Sequence, residues 1–154
     1  MFIEDRYEVQ IDDTDCIFDF VSEGKKGKIH KVIRFSKTNL KDTYNLGFGD
    51  YDESIGVVND KVVTDNGDSE KVLATVASTV YVFTALNPKV YIILTGNTPA
   101  RNRLYRIGIS KYLDKITEDF DVQGLQNGVW RTFMSNGNYK SFLIRRKLYI
   151  NDYQ

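Results

Sequence analysis

Apolar and polar positions alternate with a period of two from Ile17 to Phe48. The apolar set is Phe18 and Phe20, then Ile29, Ile33 and Phe35 after Gly24-Lys25-Lys26-Gly27, then Tyr44, Leu46 and Phe48. This pattern predicts an antiparallel meander of half-buried strands. The third strand carries Asn45, Gly47 and Gly49 on its other face, where missing side chains let a helix, a second strand or a ligand approach the backbone. Residues 50–68 mix acids with Asn and Gly and predict a long ordered loop. Its two short apolar runs, Ile55–Val58 and Val62–Thr64, would pair as a ribbon through Asn59-Asp60.

The period then changes. Val72, Leu73, Val76, Ala77, Val80 and Phe83 cover one broad helical arc, predicting a first helix from Ser69 to about Leu86 that stops at Asn87-Pro88. Val90–Leu94 is a continuous apolar run, the pattern of a central strand buried on both faces. Gly96-Asn97-Thr98-Pro99 supplies a turn, an N-cap at Thr98 and a proline at the first position of a second helix, expected to run to about Ile116. Phe120–Leu125 and Val129–Phe133 flank Gln126-Asn127-Gly128 and predict a hairpin with Trp130 in or beside it. Tyr139–Leu148 fits strand and helix equally. The fold class is therefore α+β: an antiparallel sheet of N-terminal meander, central strand and C-terminal hairpin, packed with two main helices. No linker or repeat divides residues 1–154, so a single domain is expected.

Composition narrows the chemistry by exclusion. Twenty-one Lys and Arg balance 21 Asp and Glu, so the chain as a whole has no net field to attract nucleic acid or anionic lipid. The single Cys16 excludes an internal disulfide and leaves no thiol pair for zinc; with an acidic N-terminal stretch and no long apolar run, it predicts a cytoplasmic protein. His30 stands alone in a strand beside Lys28, Lys31 and Arg34, a setting that is usually structural. No HExxH, GxSxG, GxGxxG or GxxxxGK[ST] motif is present, so no catalytic residue is assigned. Acids gather at Asp12-Asp13-Asp15, Asp50-Asp52-Glu53 and Asp65-Asp68-Glu70, but without calcium-loop spacing; turn and cap chemistry explains them, and neither a metal nor a cofactor is expected.

One segment stands out, the strand, turn and helix Tyr91–Gly108. A helix opening at this turn presents unpaired amides and partial positive charge, and three arginines follow within two turns. With Arg101 at zero on the helical wheel, Tyr105 and Ile109 share its side, whereas Arg106 falls near about 140° and Arg103 near about 200°. Arg101 thus lies on the core-facing stripe, where its guanidinium either meets a buried carboxylate such as Asp68 or Glu70 or lines a cleft. Arg103 and Arg106 share the wetter side. Asn97, Thr98, Arg101, Arg103, Tyr105 and Arg106 form the candidate ligand site, for a phosphate-bearing ligand or nucleic acid. The first helix carries no charge from Val72 to Asn87, which predicts a second covering layer and, through residues 69–87, a homodimer.

The stretches Asn45-Leu46-Gly47-Phe48-Gly49-Asp50, Asn66-Gly67-Asp68 followed by Lys71–Ala77, and Thr98-Pro99-Ala100-Arg101-Asn102-Arg103-Leu104-Tyr105-Arg106 resemble the hallmark segments of a family of small uncharacterised bacterial proteins. The resemblance spans about Phe18 to Lys147 and implies no activity. Three functions fit the residues: a binding module for an anion, phosphate group or nucleic acid at 96–106; a small toxin-like nucleic-acid-cleaving enzyme using the arginines, Tyr105 and an acid of the Asp65–Glu70 turn; or a structural subunit without ligand.

Overall fold

A computed structural model describes residues 5–59, 65–96 and 98–148. It is mixed α+β, with nine strands and three helices among the described residues. The chain divides into two compact units: Met1–Ser36 with Leu46–Phe83, and Lys37–Asn45 with Thr84–Gln154.

The N-terminal unit contains the predicted meander. β1 (Gln10–Ile11) pairs with β2 (Ile17–Gly24), and β2 pairs with β3 (Gly27–Lys37) in antiparallel register from Ile17 opposite Arg34 to Gly24 opposite Gly27. β4 (Thr43–Asp52) follows β3 in the sheet, and β5 (Val57–Asn59) folds back antiparallel on β4. Within the 50–68 segment, the apolar run at 57–58 therefore pairs with β4; a ribbon with Val62–Thr64 falls outside the described residues. Gly49 is what admits this neighbour, because a Cβ there would lie 2.6 Å from the carbonyl oxygen of Asn59. The apolar face of the meander meets α1 (Ser69–Leu86), where the Phe83 and Phe35 rings stack at 4.2 Å and Phe18 meets Phe35 edge-on.

α1 is nearly uncharged because it is covered: no position from 72 to 83 is exposed. Its buried hydroxyls bond back to the preceding turn, Thr75 to Lys71 O, Ser78 to Thr75 O and Thr79 to Val76 O, so burial leaves them satisfied. The covering comes from the chain itself.

In the C-terminal unit, β6 (Tyr91–Leu94), β9 (Phe142–Arg146), β7 (Phe120–Gln126) and β8 (Val129–Thr132) lie side by side, every pair antiparallel. The ambiguous 139–148 segment thus supplies a central strand. β6 is buried on one face through Ile92 and Leu94 and only half-buried at Tyr91 and Ile93, a correction to the two-sided burial expected from its apolar run. The β7–β8 hairpin turns through Asn127 (φ 51°) and Gly128 (φ 76°), the left-handed pair that a two-residue hairpin demands. The second helix is two: α2 (Pro99–Lys111) and α3 (Leu113–Asp119). The break falls at Tyr112, whose backbone leaves helical angles (ψ 17°) and whose carbonyl then accepts from Lys115 and Ile116 to start α3.

Among the described residues, no helix is long and apolar enough to cross a membrane.

Candidate anion cleft

The strand end, the turn and the first turn of α2 are locked to the return segment before β9. Thr98 is the N-cap, its hydroxyl accepting from the Arg101 amide at 3.2 Å, and Pro99 opens the helix. Asn102 reaches backward: its Oδ1 accepts from Gly96 N–H at 3.2 Å, while its Nδ2 donates to the Tyr139 carbonyl at 2.5 Å. Gly96 is required here, since a Cβ would lie 2.4 Å from the Asn102 nitrogen. Thr95 and Ser141 share a hydroxyl–hydroxyl bond of 2.7 Å. The Tyr139 ring lies over Gly124, where a Cβ would come within 2.3 Å, and its hydroxyl accepts from Met134 N–H.

Above this clamp lies a cleft of about 540 Å³, lined by Thr95, Gly96, Thr98, Pro99, Asn102, Arg103, Arg106, Asn138, Tyr139 and Lys140. Among the described residues, its lining holds three cations and no carboxylate. Arg103 and Lys140 are exposed, Arg106 is half-buried, and none of the three is in an ion pair among the described residues. A cleft with positive side chains at a helix start is suited to an anion.

Three of the six predicted residues are here: Thr98, Arg103 and Arg106. Arg101 and Tyr105 share the core-facing stripe, as the wheel predicted, with Arg101 only 2% exposed, and neither lines the cleft. Asn97 falls outside the described residues. Asp68, considered as a partner for Arg101, has its carboxylate occupied elsewhere: Oδ2 accepts from Tyr7 and Ser22 hydroxyls, each at 2.5 Å. Burial and the bond to Asp68 raise the Tyr7 phenol above its usual range.

Sequence reasoning missed Asn102 and Lys140, which only the fold brings to the turn. It also missed a charge segregation that overall neutrality hides. The C-terminal unit holds thirteen Lys and Arg against six Asp and Glu, a net of +7; the N-terminal unit holds eight against fifteen, a net of −7. Within the C-terminal unit, residues 84–113 and 122–148 contain no acid at all. The intervening acids, Asp114, Glu118, Asp119 and Asp121, sit on α3 and the start of β7, while the cleft neighbours the far end of that strand, where Lys140 N–H donates to Leu125 O.

The remaining chemistry-bearing groups are structural. His30 bonds Asp19 at 3.0 Å and packs on Tyr51. Asp12, Asp52 and Asp65 cap their own turns, and these local bonds, led by Thr14, Ser54 and the Gly67 amide respectively, hold each carboxyl below its usual pKa. Among the described residues, no group of three or more His, Cys, Asp or Glu converges on a metal position.

A family of unknown function, DUF6934, matches residues 3–147. The chain belongs to that family. It matches no curated protein and no solved structure. Membership agrees with the resemblance to an uncharacterised family and brings no activity with it, so any function has to be argued from the cleft.

Proposed function

We propose that this protein is a phosphate-group binding module whose site is the cleft at the start of α2. The observation that carries the reading is the cleft's lining: Arg103, Arg106 and Lys140 converge there with the Thr98 cap and no carboxylate. Two arginines one turn apart offer planar donor forks for phosphate oxygens, and Lys140, from the segment before β9, adds a point charge. The net +7 of the unit supports capture of an anion from solution.

Binding is favoured over cleavage. Among the described residues, the cleft contains no carboxylate or histidine to move a proton, Tyr105 is buried away from it, and the Tyr139 hydroxyl is held against Met134 N–H. The Asp65–Glu70 turn offers no better acid, since Asp65 caps Gly67 and Asp68 is bound by Tyr7 and Ser22.

Thermal melts with and without tens of millimolar phosphate test the reading, because a ligand held only by the native state raises its stability by mass action. Phosphate should raise the Tm of the wild type and leave the Arg103→Gln/Arg106→Gln variant unmoved. Equal responses in the two proteins would defeat it.

A further inference from the structure

We propose that the occupant of this cleft is single-stranded nucleic acid, its phosphates on Arg103, Arg106 and Lys140 and one base stacked on Trp130; this rests on the phosphate-site reading above. The topology supplies the second half of such a site. Trp130 lies directly opposite Leu125 across β7 and β8, and on its other side Leu125 donates to Ser141 O and accepts from Lys140 N–H, both at 2.9 Å. The Trp130 backbone is therefore two strand spacings, roughly 10 Å, from the Lys140 backbone in the cleft wall.

It is also on a reachable face. Ile92, Leu94, Phe142 and Ile144 turn to the core, so Thr95, Ser141, Leu125 and Trp130 form a row on the outer face, and that row ends in the cleft at Thr95. Trp130 is half-buried, and no ring or cation is stacked on it among the described residues. Cations tracking a backbone next to an aromatic platform are what a single strand requires, whereas a paired base is already stacked and cannot present its face to an indole. The acid-free segments 84–113 and 122–148 furnish all of these residues, so no carboxylate of theirs opposes the phosphates.

Trp130 is the sole tryptophan, so its fluorescence reports the stack without a label. Three probes are compared on the full chain: an oligothymidylate of about twelve nucleotides, the corresponding duplex, and inorganic phosphate. The single strand should quench Trp130, the duplex should quench it far less, and phosphate should raise the Tm without quenching. By anisotropy of a labelled strand, Trp130→Ala should weaken binding about tenfold, with circular dichroism and Tm confirming the fold. Arg103→Gln/Arg106→Gln should flatten the log–log salt dependence by roughly 0.7 per arginine.

Binding of the strand without quenching, unchanged affinity in folded Trp130→Ala, or equal quenching by the duplex would each overturn the proposal. If phosphate stabilises the protein but the oligonucleotide does not bind, the nucleic-acid inference fails and the phosphate site stands. If neither binds, both fall.

Discussion

The two units place similar polar residues to opposite ends. In the N-terminal unit, Asn66-Gly67-Asp68 is consumed internally. Asn66, 1% exposed, accepts from Lys26 N–H and donates to Gly27 O and Ser22 Oγ, while Asp68 binds Tyr7 and Ser22. The network fastens the β2–β3 turn to the start of α1. Lys31, also buried, closes on Asp50 at 2.6 Å. In the C-terminal unit, Thr98 and Asn102 play the same fastening role, yet Arg103, Arg106 and Lys140 remain in a cleft with no acid to close them. Polar groups closed on one another build a fold; charges held open beside a rigid clamp are positioned for something else.

That contrast predicts a graded series of effects. Lys31→Ala comes first, removing the Lys31–Asp50 ion pair from a mostly buried setting, and should cost about 3–5 kcal/mol in denaturant unfolding. Asn66→Ala should cost about 3 kcal/mol, because the Lys26 amide and Gly27 carbonyl lose their buried partner. A loss below about 1 kcal/mol in either would show that these polar clusters are not the fasteners described.

Tyr7→Phe should cost about 1–2 kcal/mol by removing the phenol from Asp68 and from the Glu23 backbone. Its pH dependence sharpens the test. Because the folded pKa lies above the unfolded value near 10.0, the protonated phenol favours the native state at all pH below that value, and this contribution disappears as pH rises through the folded pKa. Wild-type stability should therefore fall in strongly alkaline solution more steeply than that of Tyr7→Phe; parallel curves would contradict the assignment.

Smallest of all should be the effect of Arg103→Gln/Arg106→Gln on the unliganded protein. With no carboxylate lost, the change in stability should stay within about 0.5 kcal/mol of zero. A large loss would mean that these arginines hold the unit together, and the contrast between the units would disappear.

Much of the architecture was legible because each boundary carried local chemistry. Asn127-Gly128 fixed the hairpin, Thr98-Pro99 the start of α2, and Asn87-Pro88 the end of α1. The break at Tyr112 was not legible, since the apolar spacing of Ile109, Tyr112 and Ile116 runs straight through it. Phe142–Arg146 stayed ambiguous because a five-residue strand with one apolar and one mixed face has too few positions to fix a period. Of the site, helical angles separated Arg101 from Arg103 and Arg106, but Asn102 and Lys140 meet only through the Tyr139 carbonyl, a pairing thirty-seven residues apart. The charge segregation was present in the sequence and concealed by averaging, since the +7 of one unit and the −7 of the other cancel.

The most direct test is a titration of the isotopically labelled protein with inorganic phosphate, followed by amide chemical shifts. The account predicts saturable shifts at Thr98–Arg103 and Asn138–Lys140, with little change at Lys25, Lys26 and Lys28, a basic turn of the other unit. Shifts centred on that lysine turn, or none at the start of α2, would contradict it.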